Sequence, residues 1–249
     1  MKSINQIQDR NGERGNVLFL ILIAVALFAA LSYAVTQSTR SGAGDTASET
    51  NLISSAQLTQ YPAGIRTSVV RMIIGGIAVE ELMFNDPSDF ATIVNTDPLR
   101  ERAVFHPQGG NATYQLAPSD VVTAAVGANP LGTWFYNAQV QIQNIGVTNA
   151  GNAVGNDVIA FLPNISSGIC RRINEEVGLG NVIPVAANVL LADIDYSIVS
   201  TASPAADFPV ADGPVLAGAG NEFVGQPFGC FVTPNAAGTN VYYHVLIER

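Results

Sequence analysis

Two cysteines, two histidines and a late group of carboxylates are the residues of this chain with the most chemistry to offer. Cys170 and Cys230 lie far apart, as do His106 and His244, so the close C-x-x-C or H-x-x-x-H spacing of a zinc site is missing. Asp193, Asp195, Asp207, Asp212 and Glu222 gather in or near a loop rich in Gly and Pro. Calcium takes several oxygen ligands from flexible loops, which makes the four aspartates calcium candidates. No EF-hand spacing is present, and solvation of the surface is the better reading. The sequence has no G-x-S-x-G, no H-E-x-x-H and no P-loop, and a histidine-based triad would have to use His106 or His244. His106 stands in Phe105-His-Pro-Gln-Gly-Gly110, a turn-like context, and His244 lies between Tyr243 and Val245 in a run with strand character. Both read as ordinary structural histidines. The expectation is therefore a protein that is not an enzyme and has no cofactor, calcium being the one ion to consider.

The element that must position everything else is at the other end of the chain. Val17 to Val35 is a run of 19 residues without a charge, and at about 1.5 Å per residue a helix of that length matches the bilayer's hydrocarbon thickness. It exceeds the roughly 7 to 15 residues of a signal-peptide core, so an anchor is favoured over a cleaved secretory signal. Lys2, Arg10 and Arg14 precede the run, against Asp9 and Glu13, and a Lys/Arg excess marks the cytoplasmic side. The rest of the chain is then exported, placing both cysteines where a pair forms a disulfide; two buried free thiols are the alternative. The chain's formal charge is −9, with Lys2 its only lysine. Such an acidic chain repels phosphate backbones and excludes a nucleic-acid partner.

Four segments follow: a cytoplasmic leader 1–15, a transmembrane helix 16–36, a helical stem 37–85 and an exported globular domain 86–249. Ser41-Gly-Ala-Gly44 is expected to bend or loosen the helix, with a capping box at Thr46-Ala-Ser-Glu49 restarting it. Pro62 kinks the stem or opens a second helix. Ile65, Val69, Met72, Gly76, Val79 and Met83 make one face of a helix ending near Phe84. Asn85-Asp-Pro87 stops that helix, and residues 86–130 form a long excursion that also holds Pro98, Pro107, Pro118 and Pro130. Trp134 to Gln143 alternates as a half-buried strand, Gly146 to Gly155 loops back, and Asp157 to Leu162 is its partner. Asn164 caps a short helix with the ridge Ile165, Ile169, Ile173 and Val177, stopped by Gly178. Strand character returns at Val182–Leu191, Tyr196–Val199 and Asn240–Ile247. This order argues α+β with a mainly antiparallel sheet.

A charged leader ending Arg14-Gly15, an apolar helix starting at once, a helical continuation and a late disulfide together resemble type IV pilins and the pseudopilins of type II secretion. The stretch Asp157–Ala192 also looks like the Cys-bearing helix and following strand of type IVb pilins. The resemblance implies a pilin-like fold, cleavage by prepilin peptidase after Gly15, and Asn16 as an N-methylated new terminus. It matches Cys170 and Cys230 to the pair that bounds the family's C-terminal loop, and it adds the calcium site of major pseudopilins as a reason to weigh the late aspartates. The implied partners are other pilin or pseudopilin subunits in a bacterial inner membrane. Two departures stand out. The glutamate usual five residues into the mature helix is replaced by Leu20, as in pseudopilins at a filament tip, and Asn16 replaces the usual aromatic or Met. The leading expectation is a minor filament subunit. An uncleaved single-pass protein with an external binding domain comes next, and an exported hydrolase third.

Overall fold

A computed structural model of the protein describes residues 14–93, 99–147, 155–199, 213–218, 220–234 and 238–249; of residues 14–16, 37–48 and 92 only the backbone is described. The chain divides into two compact units, Met1–Thr50 and Asn51–Arg249. Helix α1, Arg14–Ile74, begins in the first and ends in the second. It continues through Ser41–Gly44, Thr46 and Pro62, so neither the expected restart nor a second helix occurs. Pro62 removes one helical N–H, a loss the helix tolerates. The helix stops ten residues earlier than its apolar stripe predicts. Gly75 donates to the Arg71 carbonyl, and Gly76 then turns to φ +101°, a conformation that favours glycine. Ile65, Val69 and Met72 are buried as the stripe requires, whereas Val79 and Met83 lie beyond the helix.

Two short helices, α2 (Phe90–Ile93) and α3 (Leu99–Arg102), lie in the proline-rich excursion. The core of the second unit is a four-stranded antiparallel sheet. Its strands are β1 (Phe135–Asn137), β3 (Val158–Pro163), β5 (Phe228–Val232) and β6 (Asn240–Ile247), in the order β1-β3-β6-β5. A separate parallel pair joins β2 (Gln141–Ile142) to β4 (Val215–Leu216). The molecule is thus α+β, with an N-terminal apolar helix and an antiparallel sheet.

Side chains of the sheet alternate between two apolar layers. Trp134, Tyr136, Ala160, Leu162 and Tyr242 pack with Ile65, Val69 and Met72 of α1 and with Ile169 and Ile173 of α4 (Ser167–Glu176). On the opposite face Phe135, Ile159, Phe161, Val241 and Tyr243 meet Val189, Ile194, Leu216 and Phe223. The expected half-buried strand over Trp134–Gln143 is accordingly corrected. It is covered on both faces, and it breaks into β1 and β2, which join different sheets. Continuous apolar runs such as Val158–Leu162 are what a strand covered on both faces needs.

The short helix α4 forms as expected, with its stop at Gly178 (φ +82°). Its N-cap, however, is Ser166. Asn164 instead adopts φ +59°, a left-handed conformation that Asn tolerates, and its carbonyl accepts from Thr123 N at 2.8 Å. Val182–Leu191 and Tyr196–Val199 are not regular strands. Pro184 and Ala186 bond Val232 on the outer side of β5, while Ile198 N donates to the Tyr136 carbonyl at 2.7 Å on the outer side of β1. Both edges of the sheet are therefore covered by irregular segments, the arrangement that blocks strand-to-strand association.

Candidate functional site

The apolar segment of α1 is the feature with the clearest physical purpose. Val17–Thr36 forms 20 helical residues, all exposed, and at about 1.5 Å each they reach roughly 30 Å. One helix of the described residues is thus long and apolar enough to cross a membrane. Near its end Thr36 Oγ1 donates to the Ser32 and Tyr33 carbonyls at 2.7 and 3.0 Å. That satisfies the hydroxyl without water. Ala24, Ala26, Ala29, Ala30 and Ser32 give the helix small side chains through which another helix can approach, and Leu20 occupies its place among the exposed residues. Gly15 and Asn16, the expected processing residues, are in the first turn of α1, and their side chains lie outside the described residues.

At the C-terminal side Cys170 of α4 and Cys230 of β5 form a disulfide, with Cα atoms 5.4 Å apart and 60 residues of separation. Both are fully buried. Beside them is a residue that the sequence reading missed. Asn174, one turn after Cys170 on the same helix face, is buried and clamps the backbone of Cys230 from both sides. Its Nδ2 donates to the Cys230 carbonyl at 2.8 Å, and its Oδ1 accepts from the Cys230 N–H at 2.9 Å. The same Nδ2 donates to the Val182 carbonyl at 2.8 Å. These bonds satisfy the outer polar groups of β5 where Pro184–Ala186 does not reach. The signal in the sequence is an Asn four positions after Cys170, beside Ile173 on the apolar ridge of the helix.

The other candidates are not brought together. His106 Nδ1 accepts from Gln108 N at 3.1 Å, and its ring meets the Phe90 ring edge-on at 4.8 Å. The imidazole thus holds a turn. Burial, followed by the charge of Arg100, lowers its pKa. His244 shares a 2.9 Å hydrogen bond with Tyr242 and stacks on Phe228; burial and then Arg66 push it down to about 4. Asp193 accepts from Leu190 N at 2.7 Å at the start of a short 3-10 turn. Asp195 lies two residues on, while Asp207 and Asp212 are outside the described residues. Among the described residues no three acidic, His or Cys side chains are gathered closely enough to hold a metal ion.

One acid is buried among strands. Asp157 accepts from Ile142 N at 2.8 Å and from Arg249 N at 3.1 Å, tying β2 and the chain end to β3. Burial raises its pKa to about 7 despite those donors. Comparison with protein-family models, curated proteins and solved structures finds no significant match to this chain.

Proposed function

We propose that the chain is a non-enzymatic, membrane-anchored subunit, present in few copies, of a type IV pilus-like or type II secretion filament. The observation that carries this reading is the fully exposed apolar helix Val17–Thr36, entered directly from Arg14-Gly15. Helices in lipid associate by close packing of small side chains, and the alanines of this segment supply them. The covered edges of the sheet support the same reading from the other side, since they leave helix packing as the natural route of assembly. In this account prepilin peptidase cuts after Gly15 at the inner membrane, and the disulfide-closed unit lies in the periplasm or on the filament surface. Leu20 in place of an acid removes one pairing with a neighbour's terminal amine, which suits a terminal position.

Leu20 also favours a second reading, an uncleaved single-pass protein whose external unit binds a ligand, because nothing charged is then carried into the bilayer. Mass spectrometry of the intact protein extracted from the membrane separates the two. The first predicts a chain starting at methylated Asn16; recovery of the full chain from Met1, in cells with active peptidase, contradicts it.

A further inference from the structure

The second unit contains a cavity of about 310 Å³ where the segments around Asp86, Tyr114, Thr133 and Tyr196 meet the end of β1. Its floor is aromatic: Phe84 stacks on Tyr136 at 4.9 Å, and Trp134 lies alongside. Tyr114 and Tyr196 stand half-buried at its sides. Three carboxylates, Asp86, Asp89 and Asp195, also line it, and no basic residue does. The Asp86 carboxylate accepts from Ser88 and that of Asp89 from Asn85 Nδ2 at 3.4 Å, and no hydrogen bond or ion pair reaches the Asp195 carboxylate among the described residues. Besides burial, Asp86 and Asp89 raise the pKa of Tyr114, and burial with Asp193 pushes Tyr196 up to about 12.

We infer that this cavity binds an organic cation, an ammonium group carried on an alkyl chain, between the carboxylates and the aromatic walls. The charges are of one sign and lie around a space large enough for several heavy atoms, yet they are too far apart to hold a metal ion together. A bare divalent ion needs its oxygens at about 2.3 to 2.6 Å, whereas an ammonium on a chain is held by dispersed carboxylates and by half-buried tyrosine rings, here Tyr114 and Tyr196. Two sources carry this chemistry, a free polyamine and a lysine side chain on a partner protein. The inference stands on the second unit alone and does not depend on assembly through α1.

Trp134 is the chain's only tryptophan; it lines this cavity and another beside Tyr61, so its fluorescence reports binding and the aspartate variants assign it to this cavity. The full chain in a non-ionic detergent is titrated with spermidine, with an N-acetylated trilysine amide, with the matching triglutamine amide, and with calcium chloride. Saturable quenching by spermidine, by the lysine peptide or by both is expected, and whichever acts identifies the source. Asp195→Asn and Asp86→Asn should each weaken it about fivefold, the effect of one partly exposed charge, with the melting temperature of each variant measured in parallel to show that it is folded. Equal response to the triglutamine peptide, response to calcium alone, no response, or wild-type affinity in both folded variants would overturn the inference.

Discussion

Replacing Asn174 with alanine should be among the most damaging single changes in the second unit, although the residue touches no ligand. The side chain makes three hydrogen bonds of 2.8 to 2.9 Å, to both polar groups of Cys230 and to the Val182 carbonyl. Each bond contributes about 1 kcal/mol net, and stranding buried backbone groups adds a desolvation penalty, so the loss is about 3 to 5 kcal/mol. For a unit of this size that is a fall in melting temperature of roughly 10 °C. Asn174→Asp refines the test. It can still accept from Cys230 N, but it loses both donated bonds and faces two carbonyls with a charge, so it should be at least as unstable as alanine. Urea unfolding of the full chain in detergent, with the disulfide intact, gives the free energies. A loss below about 1 kcal/mol for both variants would refute the claim that Asn174 closes the edge of β5.

Three further outcomes follow from the same geometry. Cys170→Ser and Cys230→Ser should each destabilise the fold by about 4 kcal/mol in the chain-entropy account of a 60-residue loop, measured by the same unfolding curves; full stability in either would contradict a structural bond. Stability against pH should reflect two opposed groups. Asp157 has a folded pKa raised to about 7, so its contribution is present below about pH 4 and lost as pH rises through 7; His244, lowered to about 4, contributes above about pH 6.5 and loses that contribution as pH falls through 4. Relative to wild type, Asp157→Asn should gain stability as pH rises from 4 to 7, by up to about 4 kcal/mol, and His244→Phe should lose it as pH rises from 4 to 6.5, by up to about 3 kcal/mol; pH-independent differences would show that neither group titrates as described. Gly15→Leu should leave the leader in place, because a side chain at the cut blocks close approach of the peptidase, and equal gel mobility with wild type would argue for an uncleaved anchor.

The apolar span, β6, the body of α4 and the Cys170–Cys230 pair were legible because each depends on local pattern or on a count of two. Val158–Leu162 was legible as a strand, and its unbroken apolar character is explained by cover on both faces. The errors arose where long-range contacts outweigh local signals. The stripe continuing through Val79 and Met83 looked helical, but Gly75-Gly76 ends the helix and Met83 instead bonds its backbone to Val104 and Arg102. The β-rich sequence of Val182–Leu191 predicted a strand, yet Pro184 has no N–H to offer a ladder, and only an isolated bridge to β5 results. Asn164 carried the right residue type for a cap and serves as a left-handed turn instead. The cavity beside Tyr196 could not be read at all, since Asp86 and Asp195 are more than 100 residues apart and only the fold brings them to one cavity.

The claim that most needs testing is that the apolar helix is an assembly surface and more than an anchor. A photo-crosslinking amino acid placed in turn at Ala26, Ala29 and Ala30, in cells that contain the secretion or pilus machinery, reports directly on the neighbours of α1 within the membrane. The account predicts discrete crosslinks to pilin-like subunits from the small-residue face and few from Phe28 or Leu31, which lie on the opposite side of the helix. Recovery of uncrosslinked monomer alone from every position would contradict it and leave a single-pass protein that works through its external unit.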